Sequence, residues 1–256
     1  MTEDFDAATF DDSTMIDNEW FPFTPGAHWV YEGTSVDGDE TFEHRIEFMV
    51  TDLTKEIAGV RTRVAWIVDY TDGELVEKEI AFYAQATDGT VWYLGEHPEE
   101  YEEEEFVEAP TWIHGVEGAV AGITMPAKPQ VAAPSFSQGW APAVEFTDRG
   151  EIAEIVDEFC IAAQCYPALL IVEEFNPEEP NAFRLKYYAR GVGNVATRWR
   201  GTDASQVELE LLSFAQLDRD ALAEIRTEAL ALEAHAYAIS TEVYGPTQPM
   251  VQETTP

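Results

Sequence analysis

From residue 41 to residue 51 the chain alternates without a break. Phe42, His44, Ile46, Phe48 and Val50 fall on one side, and Glu43, Arg45, Glu47 and Met49 on the other. A period of two marks a half-buried β-strand. Residues 62–70 repeat the signature, with Val64, Trp66, Val68 and Tyr70 on one face, and Asp72-Gly73 is a tight hairpin signal into a return strand at 75–85. Asp88-Gly89 then turns into Val91-Trp92-Tyr93-Leu94, while 28–33 forms a shorter strand ahead of the turn Val36-Asp37-Gly38-Asp39. A second series reads as strands at 144–147, 152–159, 168–174, 183–189, 195–200 and 206–214. About ten or eleven strands with short connections predict a mainly β protein, an antiparallel up-and-down barrel or a strongly curved, calycin-like sheet over 19–216.

Between the two series, the run Glu99-Glu100-Tyr101-Glu102-Glu103-Glu104-Glu105 repels itself and predicts an exposed loop or protruding hairpin arm. It lacks the Asp-Gly spacing of a calcium loop. The Pro-, Gly- and Ala-rich stretch that follows completes a long crossing segment, 99–142. Leu222, Ile225, Ala229, Leu232, Ala236 and Ile239 recur at three- and four-residue steps after Asp218 and Asp220, predicting a capped C-terminal helix within 217–240. Its narrow apolar seam suits packing on the sheet or, alternatively, a protein contact through 218–239. Residues 1–18 read as a flexible acidic lead-in and 241–256 as a tail.

Charge changes the picture. Fifty Asp and Glu against fourteen Lys and Arg leave a net charge of −36. A polyanion would be repelled, which excludes nucleic acid and anionic membrane surfaces as partners. No run is long and apolar enough for a membrane-spanning helix. Only Lys55, Lys78, Lys128 and Lys186 are lysines, and a carboxylate-rich, Lys-poor surface is the signature of salt adaptation, an ordinary acidic protein being the alternative.

Cys160 and Cys165 flank Ile-Ala-Ala-Gln, too few thiols for a structural zinc site and not at redox spacing. They either close a disulfide across a hairpin or remain buried free thiols. The opening Met-Thr-Glu-Asp-Phe-Asp lacks the regions of a signal peptide, so the protein is intracellular or its leader is not part of this sequence.

Four blocks carry a resemblance: residues 21–33 (FPFTPGAHWVYEG); FYAQ at 82–85 with DGTVWYLGE at 88–96; GITMPA at 122–127; and KYYARGVG at 186–193. They resemble an uncharacterised family of bacterial exported proteins, often lipoproteins, whose members usually carry Pro where this chain has Arg190. The resemblance spans residues 19 to about 214. It implies an extracytoplasmic or secreted β-rich protein and brings no catalytic residues.

No nucleophile elbow, phosphate loop, zinc-protease motif or dinucleotide fingerprint is present, and no cofactor or metal is expected. His44 shares a face with Phe42, Ile46 and Phe48, so it is either a hydrogen-bonded core histidine or a polar group in a cavity, with Glu79 as a second acid–base candidate. His114, near Trp112 in the crossing segment, could approach the same space; a metal site from His44, His114 and a carboxylate is a weaker reading. Trp66, Tyr83, Gln85, Tyr93 and Trp112 complete the candidate lining, since Tyr and Trp offer broad apolar faces with polar tips. Three functions follow: binding of a small apolar or amphipathic ligand or saccharide; self-assembly in an envelope or extracellular array; or lyase, isomerase or hydrolase chemistry from a cavity His and carboxylate.

Overall fold

The computed structural model describes residues 2–161 and 164–253. Five long strands form the first meander: β1 (Ala27–Asp37), β2 (Glu40–Ile57), β3 (Val60–Thr71), β4 (Glu74–Gln85) and β5 (Val91–Glu102). Five short strands follow: β6 (Glu105–Glu108), β7 (Trp112–Ile113), β8 (Val120–Met125), β9 (Phe136–Ser137) and β10 (Gly139–Trp140). The second meander is β11 (Arg149–Ile161), β12 (Gln164–Phe175), β13 (Ala182–Ala189), β14 (Gly193–Gly201) and β15 (Glu208–Gln216). Helices α1 (Arg219–Ile239) and α2 (Thr241–Tyr244) and the short β16 (Val251–Gln252) end the described chain.

Among the described residues the sixteen strands make one antiparallel sheet, thirteen of them running β10-β8-β5-β4-β3-β2-β1-β15-β14-β13-β12-β11-β9, with β6 and β7 paired to β5 and β16 to β2 off that path. Local chemistry explains the hairpins. At Asp72-Gly73 both residues take positive φ, 50° and 83°, the backbone that a two-residue turn between twisted strands requires. The two ends of the hydrogen-bonded path are separated in the chain by Gln138 alone, because β9 pairs β11 while β10 pairs β8. Gly122 permits that junction: a Cβ there would stand 2.1 Å from the Gln138 carbonyl carbon.

The sheet has two apolar faces. One packs Trp20, Phe23, Trp29, Val50, Ala81, Tyr83 and Tyr93 together and holds the cavity described below. The other packs Met49, Leu53, Val64, Trp66, Ile80 and Phe82 against Ala229, Leu232 and Ala236 of α1. Asp218 caps α1, accepting from the backbone of Asp220 and Ala221. On this face Lys55 is fully buried, its Nζ 2.8 Å from the Glu233 carboxylate and 2.7 Å from the Gln248 carbonyl. Glu233 lies off the apolar seam, yet it is buried as the partner of this cation.

Three expectations need correction. The lead-in is packed: Phe5 meets the Trp92 ring at 5.1 Å, and Ile16 is 2% exposed and bridges Phe23. Its anchors are too widely spaced to show a period. The described part of the tail, 241–253, is packed as well, with Tyr244 buried, β16 paired to β2 and the Glu253 carboxylate on Arg63. Residues 144–147 form no strand, because Pro142 has no N–H to give a ladder and opens a 3-10 turn instead. The acidic run forms the hairpin arm that was one of its two expected forms, the end of β5 turning into β6 with Glu102 to Glu105 exposed, although Glu99 at its start is buried. Cys160 and Cys165 are directly opposite in the β11–β12 hairpin and form a disulfide; Ala162 and Ala163 of the expected turn lie outside the described residues.

Candidate functional site

The cavity occupies about 300 Å³ on the face away from α1. Its apolar wall is laid down by the alternation of β1, β2, β4 and β5, which turns Trp29, Phe48, Tyr83 and Tyr93 to the same side. Tyr83 and Tyr93 stack with ring centres 4.9 Å apart. Phe21 and Phe23 of the segment before β1 close over them, at 5.5 and 5.0 Å from the Tyr83 ring. The opposite wall comes from β12 to β15. Even positions of β13 present Arg184, Lys186 and Tyr188, and β12 adds Glu174. The sheet therefore curls far enough for strands distant in its order to share one space.

Hydrogen bonds tie the two walls. Trp29 Nε1 donates to the Val192 carbonyl at 2.7 Å, and the Tyr31 hydroxyl to the Asn194 carbonyl at 3.0 Å. On the polar side Lys186 Nζ stands 3.0 Å from one Glu174 oxygen, and Gln138 Nε2 donates to the other at 2.7 Å. Burial pushes the Asp148 carboxyl up, the nearby Glu174 adding to it while Arg184 and Lys186 oppose. The hydroxyls of Tyr83 and Tyr188 are held well above their ordinary range, first by burial and then by neighbouring carboxylates.

Behind the aromatic wall lies a buried carboxyl pair. The Tyr93 hydroxyl donates to Glu96 and, at 3.3 Å, to Glu79. Trp112 Nε1 donates to Glu96 at 2.9 Å, and the Trp112 ring stacks on Phe146, another lining residue. Burial and mutual repulsion raise Glu79 well above the carboxylate range. Glu96 is raised by burial, against hydrogen bonds from Tyr93 and Trp112 that lower it. Glu77, two residues along β4, is raised to about 8 by burial and by Glu96, Asp69 and Glu100. Two like charges this close cannot both ionise cheaply, which is why Glu96 adds to the effect of burial on Glu79.

The structure brings together some of the sequence candidates and separates others. Tyr83 and Tyr93 line the cavity; Glu79 and Trp112 stand directly behind it. Gln85 faces the lead-in, accepting from the backbone of Asp17 and Asn18 at 3.0 and 2.9 Å. Trp66 lies on the opposite face, under α1, because apolar residues occupy both faces of β3. His114 packs on Phe5 and accepts from the Ala121 N–H at 3.0 Å. His44 binds the Asp69 carboxylate at 2.8 Å, with Nδ1 buried and unpartnered; it borders a separate hollow near Glu43 and Tyr70. Among the described residues no three His, Cys, Asp or Glu side chains are grouped to hold a metal ion.

Sequence reasoning missed Phe21, Phe23, Phe48, Phe146, Asp148, Glu174, Arg184, Lys186 and Tyr188 as lining. One signal was available: all four resemblance blocks contribute to the cavity, among them Phe21, Tyr83, Thr124 and Lys186. His97 and His235 were also passed over. Both approach the buried Glu99, at 3.1 and 2.7 Å, and join β5 to α1.

What these features define is a mainly β protein whose curled antiparallel sheet carries a C-terminal helix on one face and an aromatic cavity on the other. No protein-family model matches the chain, and no curated protein matches it. Two solved structures are similar. A "putative lipoprotein" from Parabacteroides distasonis ATCC 8503 has a TM-score of 0.42 and 15% identity, covering 80% of this chain and all (100%) of its own. A "putative exported protein with YmcC-like fold" from Bacteroides fragilis NCTC 9343 has a TM-score of 0.43 and 11% identity, covering 78% of this chain and 100% of its own.

Proposed function

We propose that this is an extracytoplasmic binding protein that holds a small amphipathic ligand in the aromatic cavity. The observation that carries the reading is a cavity of about 300 Å³ with stacked tyrosines on one wall and a polar, ion-paired wall opposite. Ligand sites combine an apolar lining with a few placed polar groups, and this volume is at the small end of the usual ~300–1,000 Å³. The Cys160–Cys165 disulfide supports an oxidising compartment.

Titration with N-phenyl-1-naphthylamine, a neutral apolar fluorophore, tests the reading. The probe should bind the whole protein, and Asn194→Trp, which puts a large ring at a lining position, should weaken it about tenfold or more. Trp66→Phe, on the helix face, should change nothing. Absence of binding, or binding indifferent to Asn194→Trp, would refute the proposal.

A further inference from the structure

The polar wall of the cavity is most informative in what it leaves unspent. Glu174, Lys186 and Gln138 satisfy one another. The hydroxyls of Tyr83 and Tyr188, residues 8% and 4% exposed, make no hydrogen bond to any described residue. Nor does the Asp148 carboxylate or the Arg184 guanidinium find a hydrogen-bonded or ion-paired partner among the described residues, although both line the same space.

The unspent set mixes donors with acceptors. A guanidinium only donates, a carboxylate only accepts, and a phenol does either. Its charge also balances: Asp148 and Glu174 against Arg184 and Lys186 leave no surplus cation, within a chain of net charge −36. An anionic ligand would meet Asp148 and Glu174 without an uncommitted positive pair to outweigh them. A wholly apolar ligand would cover the Tyr83 and Tyr188 hydroxyls and leave them unbonded, which buried polar groups do not tolerate cheaply. A molecule that satisfies every group carries several hydroxyls, each able to donate and accept, and an apolar face to lie on the rings.

Resting on the binding reading above, we infer that the ligand is a neutral carbohydrate of mono- or disaccharide size. One of its C–H faces stacks on the Tyr83 wall, and its hydroxyls donate to Asp148 and accept from Arg184, Tyr83 and Tyr188. Asp148 and Tyr188 are the specificity-determining residues. The first supplies an anionic acceptor in a partly desolvated place, where a charge-assisted hydrogen bond is strongest. The second supplies a buried hydroxyl that only a polar ligand can use.

The test displaces N-phenyl-1-naphthylamine from the full chain with cellobiose, maltose and N-acetylglucosamine, and separately with laurate, and measures sugar binding directly by calorimetry. At least one sugar should displace the probe at millimolar concentration or below. Asp148→Asn and Tyr188→Phe should each weaken that sugar about tenfold or more, the loss of one hydrogen bond to a charged or buried group, while Trp66→Phe, on the helix face, leaves sugar affinity within about twofold. Displacement by laurate with none of the sugars bound would overturn the carbohydrate inference and leave the binding reading standing. Sugar binding unaffected by both variants would overturn it too. Failure of the probe and of every sugar to bind would remove both readings.

Discussion

Lys55→Met isolates the one fully buried cation among the described residues. Lys55 is 0% exposed and Glu233 is 4% exposed, so the 2.8 Å ion pair between β2 and α1 is shut away from water. The Lys55 ammonium also lies 4.8 Å from the centre of the Tyr244 ring. Methionine fills most of the lysine volume but leaves the Glu233 carboxylate without its cation, still bonded by the Met250 N–H at 2.9 Å. Removing one member of such a pair costs about 3–5 kcal/mol, because the orphaned charge stays desolvated. For a chain of this size that is a fall in melting temperature of roughly 6–20 °C. Adding Glu233→Gln removes the orphan charge and keeps an acceptor for Met250, so the double variant should return to within about 1–2 kcal/mol of the parent. Urea unfolding followed at once by tryptophan fluorescence and by helical ellipticity gives all four corners of the cycle. A Lys55→Met loss below about 1 kcal/mol, or a double variant no better than the worse single, would refute a desolvated pair between sheet and helix.

Glu77, Glu79 and Glu96 have folded pKa values above the ordinary 4.5, with Glu77 at about 8, so the stability tied to their protons is complete below that value and is lost as pH rises through the folded one. The melting temperature should therefore fall between about pH 5 and pH 9, and Glu79→Gln should lessen the fall; a flat profile would contradict the buried pair. Asp52, Glu99 and Glu253 are lowered by their partners and act oppositely, so a second decline should be seen by calorimetry as pH drops below about 4. The disulfide closes a loop of sequence separation 5, and Cys160→Ser with Cys165→Ser should cost no more than roughly 2 kcal/mol in urea, since closing so short a loop removes little chain entropy. With a net charge of −36, melting temperature should climb from low to molar NaCl as the Debye length shrinks toward ~3 Å; a flat or falling trend would leave the acidic surface without a physical purpose.

Local signals were legible in the chain wherever one short stretch contains its own reason. The alternation through β2, the Asp72-Gly73 turn and the Asp218 cap each depend on a few neighbours, and the mainly β architecture with its C-terminal helix follows from them. Alternation divides Trp66 from Ala65 but cannot tell which side looks into a cavity, because a helix makes the second face of β3 apolar too. Bulges are equally silent: the Tyr31–Leu211 and Tyr188–Asn194 pairings each follow a register shift that no residue announces. Phe5 and Ile16 meet their apolar partners Trp92 and Phe23 only in the folded chain, which no local pattern in the acidic lead-in announces. The polar wall belongs wholly to the tertiary structure. Arg184, Lys186 and Tyr188 read as an ordinary strand until the sheet curls and sets them across from Tyr83, about a hundred residues earlier in the chain. A strand's period is a property of its own backbone, whereas the partner its side chains face is decided by how the whole sheet twists and curls.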